Sequence, residues 1–182
     1  MDMYAVVLTL RGKAKTELAN LRDRYARYIK YEIEPHITVK YPFRLKSDIS
    51  TIHAALDQIA GLTRPFTLVL DGIRYWEGPN NVAYVTIQNR LPVFNLHMAV
   101  TTALRDLTLG ISTYDLENFT PHLTISENIP DDELSIVRQE LSKYNPKYKV
   151  EITSFSLFET ESNDGREIWK RTREFRLLKS SF

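Results

Sequence analysis

The sequence predicts an α+β protein built as a bilobal pseudo-twofold duplication, with two antiparallel sheets lining a central cleft and helices packed on the outside. Three observations predict it. The stretch Pro35-His36-Ile37-Thr38-Val39 recurs 86 positions later as Pro121-His122-Leu123-Thr124-Ile125. Around both copies the order of patterns is helix, His-x-Thr strand, helix, strand pair. The spacing inside the halves also agrees, with Tyr84 lying 48 positions after His36 and Trp169 lying 47 after His122. Two similar lobes meeting face to face would form a cleft on the pseudo-twofold axis. The 182 residues contain no low-complexity segment or separable linker. They fit a single domain over 1–182, with approximate lobes 1–90 and 91–182 sharing one core and free to exchange strands.

Each element has its own signal. Tyr4 to Leu10 is an apolar run ended by Arg11-Gly12-Lys13 and reads as a buried first strand. Asp2, the missing basic leader and the missing small-residue cleavage pattern argue against a signal peptide. From Lys15 to Ile29, Leu18, Leu21, Tyr25 and Tyr28 recur at helical spacing, while Arg22, Arg24, Arg27 and Lys30 form a basic, solvated outer face. The first His-x-Thr strand follows, running through Tyr41-Pro42-Phe43. Ser47 or Asp48 can cap a second helix with the inner stripe Ile49, Ile52, Leu56 and Ile59, and Gly61 suits its end. Phe66 to Trp76 and Val82 to Gln88 form a strand pair across the turn Gly78-Pro79-Asn80-Asn81.

The second half opens with a helix from about Pro92 to Asp106, whose stripe is Val93, Leu96, Val100, Ala103 and Leu107. A loop through Gly110, with room for a short strand, leads to the second His-x-Thr strand. Pro130-Asp131-Asp132-Glu133 starts another helix: proline fits the first turn, and the acids oppose the positive end of the dipole. Its stripe is Leu134, Val137, Leu141 and Tyr144. Lys149 to Glu159 and Glu167 to Leu178 then form two strands around Ser162-Asn163-Asp164-Gly165.

Bulk properties narrow the function. Apolar residues at 43% and charged residues at 26% are those of a soluble globular protein. A net charge of +1 gives no general pull toward duplex nucleic acid or anionic lipid, so a small or locally bound substrate fits better. The absence of cysteine excludes disulfides, thiolate metal sites and a cysteine nucleophile. No apolar run approaches the roughly 20 residues of a membrane helix, and a cytoplasmic location is expected. No obligate protein partner is indicated.

The repeated strand carries the chemistry. Side chains alternate along a strand, so His36 and Thr38 share one face while Ile37 and Val39 turn inward; His122 and Thr124 do the same opposite Leu123 and Ile125. Two imidazoles in one cleft suit phosphoester hydrolysis without a metal. One takes a proton from the attacking water and the other protonates the departing oxygen, here assigned as His122 (base) and His36 (acid). An ordinary imidazole value near 6.5 would let both protonation states coexist near neutrality. Thr38 and Thr124 can donate to non-bridging phosphate oxygens. Lys40 continues the face of His36 and Thr38 and could add positive charge, whereas Ser126 stands there in the second copy. Neither motif has a third ligand at metal spacing, and His53 and His97 fall in helices away from the cleft, so no metal and no cofactor is expected. Tyr41, Phe43, Tyr75, Trp76, Phe158 and Trp169 lie on or near cleft strands. Of these, Tyr41, Phe43, Trp76 and Trp169 are the candidates for stacking on a base. No Walker A loop, Gly-x-Gly-x-x-Gly or serine elbow occurs.

The paired motifs Pro35-His36-Ile37-Thr38 and Pro121-His122-Leu123-Thr124 resemble those of the two-histidine phosphoesterase superfamily, which includes 2′–5′ RNA ligases and cyclic nucleotide phosphodiesterases. Gly78-Pro79-Asn80-Asn81-Val82-Ala83-Tyr84, Asn118 to Thr124 and Pro130-Asp131-Asp132-Glu133 look most like its small bacterial phosphoesterase branch. The resemblance implies a bilobal fold with a central cleft, no metal, and a nucleotide or RNA-end substrate bearing a 2′,3′-cyclic phosphate or a 2′–5′ linkage. It carries His36 and His122 over as acid–base residues, and Thr38 and Thr124 as phosphate-binding residues. Without a basic stripe or an added RNA-binding domain, ligation of a large RNA is not expected. Hydrolysis of the cyclic phosphate is the leading expectation. Cleavage or joining of 2′–5′ bonds, and binding of a nucleotide or RNA end without turnover, stand beside it.

Overall fold

The computed structural model describes residues 2–110, 112, 114–163 and 166–178. Ten strands and four α-helices follow in the order β1 (Tyr4–Thr9), α1 (Gly12–Asp23), β2 (Tyr31–Glu32), β3 (His36–Leu45), α2 (Ile49–Leu62), β4 (Phe66–Trp76), β5 (Asn81–Ile87), α3 (Leu91–Leu104), β6 (Thr108–Leu109), β7 (His122–Ile129), α4 (Asp131–Leu141), β8 (Lys147–Ile152), β9 (Ser154–Asn163) and β10 (Arg166–Arg176). One sheet has the order β2-β10-β9-β1-β3-β6 and the other β7-β5-β4-β8, so the α+β, two-sheet class expected from the pattern is the class observed. Every pairing is antiparallel except the short β2 with β10. The sheets approach each other along β3 and β7, the two His-x-Thr strands. No described helix is long and apolar enough to cross a membrane.

The helices form where local chemistry favours them. The Asp48 carboxylate accepts from the Thr51 N–H at 3.0 Å and caps α2, whose Ile52 and Leu56 are fully buried. Burying such a side chain stabilises the fold by roughly 1.5–3 kcal/mol. Pro92 occupies the first turn of α3, and three acids occupy that of α4. The helix expected over Lys15–Ile29 ends at Asp23 and resumes as a 3₁₀ turn over Ala26–Tyr28. That tighter turn sends Tyr25 and Tyr28 into the core, where their hydroxyls donate to Glu140 and Glu133 of α4.

The sheets do not divide at residue 90. β4 and β5 of the first half pair with β7 and β8 of the second, and β9 and β10 return to flank β1. The strand expected over Lys149–Glu159 is therefore two strands in two sheets, separated at Thr153. Val150 and Ile152 point inward, then Phe155 and Leu157 do. The alternation slips by one residue, as a change of sheet requires. Of the expected turn Ser162–Gly165, Asp164 and Gly165 lie outside the described residues.

The duplication is sharpest in the strand register. His36, Ile37 and Thr38 lie opposite Thr9, Leu8 and Val7, then the pairing slips so that Lys40 meets Val6 and Phe43 meets Tyr4. His122, Leu123 and Thr124 lie opposite Thr86, Val85 and Tyr84, then Ser126 meets Ala83 and Ile129 meets Asn81. Both slips recur at corresponding positions, which equates β1 with β5 and β3 with β7. The structural counterpart of Tyr84 is thus Val7; Trp169 lies opposite Thr160 on the outer hairpin.

Candidate active site

Each catalytic candidate is set by its strand and then fixed by the backbone just before it. His36 Nδ1 lies 2.9 Å from the Glu34 carbonyl and His122 Nδ1 lies 2.8 Å from the Thr120 carbonyl. A carbonyl only accepts, so Nδ1 carries the proton in both rings and Nε2 is left with its lone pair toward the cleft. Neither Nε2, nor the hydroxyl of Thr38 or Thr124, has a hydrogen-bond partner among the described residues. Two bases and two hydroxyl donors are therefore uncommitted on facing strands.

Both imidazoles are harder to protonate than a free one. Burial pushes His36 down to about 4, assisted by the Arg22 charge and by His122 itself, and opposed by the Glu34 carbonyl. The effect of one imidazole on the other places the pair within electrostatic reach. Burial also lowers His122, opposed by the Thr120 carbonyl. The two rings are thus neutral in the empty site near pH 7, where the sequence pattern alone suggests ordinary values.

The surroundings differ between the lobes. Beside His122 stand Trp76 and Tyr84, their rings stacked at 3.9 Å; Trp76 meets His122 edge to face at 4.5 Å and remains 36% exposed. Register equates Trp76, opposite Val82, with Phe158, opposite Ala5. Phe158 is buried with Ala5, Val7 and Trp169 beneath Met3, Tyr31 and Ile33. The platform on the second lobe is open, and its counterpart on the first is covered.

Four sequence expectations are redirected. Lys40 does not share the face of His36 and Thr38, because the slip after Thr38 turns it inward; it is 2% exposed and its Nζ pairs with Asp115 at 2.7 Å. Phe43 is core, stacked on Tyr4, and cannot reach a substrate base. Tyr41 packs against Tyr114 and Phe119. Trp169 is buried and donates from Nε1 to Glu167. Trp76 alone of the stacking candidates is both open and beside one of the two candidate histidines. His97 is buried, its Nδ1 donating to the Val39 carbonyl while Nε2 accepts from the Leu116 N–H, so both nitrogens are structural. No group of three or more potential metal ligands occurs among the described residues.

Two arginines near the site lie outside the sequence-derived candidates. Arg22, expected on a solvated helix face, is buried and donates to the Ile33 carbonyl at 2.8 Å. Arg171 reaches across Phe158 to Thr9, the residue opposite His36, at 3.1 Å and to the Glu34 carboxylate at 2.5 Å. Arg22 falls one residue after the apolar Leu21 of the helical stripe, which marks it as facing partly inward; Arg171 carries no comparable signal.

Comparison with known proteins bears on the family and the fold. The sequence model of the 2'-5' RNA ligase superfamily matches residues 11–164. A protein of Bacillus cytotoxicus that bears a provisional phosphoesterase name is 30% identical over 163 residues, 88% of each chain. One of Bacillus cereus, similarly named, is 31% identical over 139 residues, covering 75% of this chain and 76% of its own. The crystal structure of TT0787 from Thermus thermophilus superposes with a TM-score of 0.73 at 16% identity, over 98% of this chain and 100% of that one. Escherichia coli LigT, solved with 3'-AMP, superposes with a TM-score of 0.64 at 16% identity, over 98% and 99% of the two chains. At such identities the structural likeness is one of fold.

Proposed function

The chain belongs to the 2'-5' RNA ligase superfamily, and from that membership we propose that it is a metal-independent phosphoesterase opening 2′,3′-cyclic phosphates on nucleotides or short RNA ends in the cytoplasm. The observation that carries the reading is the matched pair of Nδ1-anchored imidazoles, each with an unoccupied Nε2 and a free threonine hydroxyl on the same face. Thr38 and Thr124 hold the non-bridging oxygens and stabilise their growing charge. His122 takes a proton from water as its oxygen attacks phosphorus. The bond from phosphorus to one ribose oxygen breaks, and that oxygen receives the proton of His36. In this assignment the bound anionic phosphate restores to His36 the proton that the empty site disfavours.

One open platform, at Trp76, suits one nucleoside. A 2′–5′ linkage places a nucleoside on both sides of phosphorus, and the counterpart position at Phe158 is covered. This asymmetry favours the cyclic phosphate over cleavage or joining of 2′–5′ bonds. The 3'-AMP complex of LigT, a product-like ligand, is in keeping with the same substrate class.

The test is incubation with 2′,3′-cyclic nucleotides and with 2′–5′ dinucleotides in EDTA. Turnover of the cyclic substrates that His36→Ala and His122→Ala each abolish is the expected result. Binding without product would convert the protein to a sensor of RNA ends, and strict dependence on added zinc or manganese would overturn the mechanism.

A further inference from the structure

The equivalence of the lobes leaves one cation unexplained. On the cleft face of the second lobe Arg74 lies opposite Tyr84, which lies opposite Thr124. Trp76 follows two residues later on the same face, about 7 Å along the strand. Register equates Arg74 with Ser156, since Ser156 lies opposite Val7 as Arg74 lies opposite Tyr84. Ser156 is 1% exposed, whereas Arg74 is exposed and makes no hydrogen bond or ion pair with any described residue.

Three other cations near the pair have partners among the described residues. Lys40 is held by Asp115, Arg22 by the Ile33 carbonyl, and Arg171 by Thr9 and Glu34. Arg74 has no partner among the described residues on this cleft face, and it stands on the lobe whose platform is open. A nucleotide with its base on Trp76 and its cyclic phosphate at the histidines directs its 5′ oxygen away from the reacting phosphorus. A planar guanidinium beside that base is matched to a phosphate on the 5′ oxygen, through charge and paired N–H donors.

We propose that Arg74 binds the 5′-phosphate of the nucleotide stacked on Trp76, so that the preferred substrate is an RNA 3′ end or a 5′-phosphorylated nucleotide rather than a bare nucleoside cyclic phosphate. The proposal rests on the reading of the histidine pair as the reacting centre and Trp76 as the platform. A contact to a phosphate that does not react strengthens ground state and transition state alike, so its signature is in KM and Kd and not in kcat.

Two ratios test it. The first is kcat/KM for adenosine 2′,3′-cyclic phosphate with and without a 5′-phosphate. The second is the Kd of adenosine 3′,5′-bisphosphate against that of adenosine 3′-phosphate, by calorimetry. The intact protein should favour the 5′-phosphorylated member about tenfold in both, as one charge-assisted hydrogen bond at an accessible site allows. Arg74→Gln should bring both ratios close to one, and Arg74→Lys should retain part of the preference. A general loss of folded protein cancels from a ratio. No preference in the intact protein, or a preference that survives in Arg74→Gln, overturns the proposal. Absence of turnover on either cyclic substrate would instead overturn the catalytic reading, and the binding ratio would still decide the role of Arg74.

Discussion

Trp76 stands edge to face with His122, ring centroids 4.5 Å apart and planes at 82°, while its other neighbour Tyr84 stacks on it at 3.9 Å. A base resting on the indole would thereby sit beside the imidazole proposed to act on its own phosphate. Aromatic stacking contributes roughly 1–3 kcal/mol per base. Trp76→Ala should therefore lower kcat/KM on cyclic nucleotides by about ten- to a hundredfold, and Trp76→Phe by less. A tryptophan fluorescence titration checks the geometry separately: nucleotide should quench Trp169→Phe protein as it does the parent, because Trp169 is buried in the cluster covered by Met3, Tyr31 and Ile33. Quenching confined to Trp169 would place the base elsewhere.

The pH dependence of turnover follows from the depressed imidazoles. In the proposed mechanism the histidine pair holds one proton, and in the empty site both rings release it below the ordinary histidine range, His36 at about 4. Raising the pH from 5 to 7 should thus lower kcat/KM, which reports the free enzyme. A bound phosphate anion favours the imidazolium, so the kcat profile should be displaced to higher pH. Superimposable profiles centred at or above pH 7 would contradict this account.

The sequence carried the chemistry further than the topology. His36, Thr38, His122 and Thr124 could be read as two reactive faces because strand alternation is local and the motif repeats. What defeated local reading was nonlocal. The slip after Thr38 that buries Lys40 is visible only against β1. The exchange of β4 and β9 between lobes depends on which sheet each strand joins, although the phase slip from Ile152 to Phe155 is a local mark of it. Reading β9 and β10 as the counterpart of β4 and β5 then gave Trp169 the place that register assigns to Val7.

Lys40 and Asp115 test that correction. Their side chains are 2% and 0% exposed and join β3 to the loop before the second motif. Removing either partner leaves a buried charge uncompensated, which typically costs about 3–5 kcal/mol. Lys40→Met and Asp115→Asn should each lower the denaturant midpoint strongly, while Lys40→Met/Asp115→Leu should recover much of the loss. If Lys40 instead bound substrate, Lys40→Met would raise KM with stability intact.

Acid stability offers a test of the empty site that needs no substrate. His36 is neutral in the folded chain down to about pH 4, whereas an unfolded histidine takes its proton near 6.5. Between these values the unfolded state binds more protons, so stability falls as pH falls and the term is fully lost below the folded value. The interval corresponds to roughly 3 kcal/mol in all, of which about 2 kcal/mol is lost between pH 7 and pH 5. His36→Gln keeps a polar ring-sized group without the titration, so its urea stability should change less between these two pH values by about that amount. His122 is lowered as well and acts in the same direction, so His122→Gln should reduce the acid sensitivity too. Phosphate, by favouring the charged form, should stabilise the parent more at pH 5 than at pH 7 and should lose that advantage in either variant. Equal acid sensitivity in all three proteins would mean that the histidines are not the half-buried, neutral pair described.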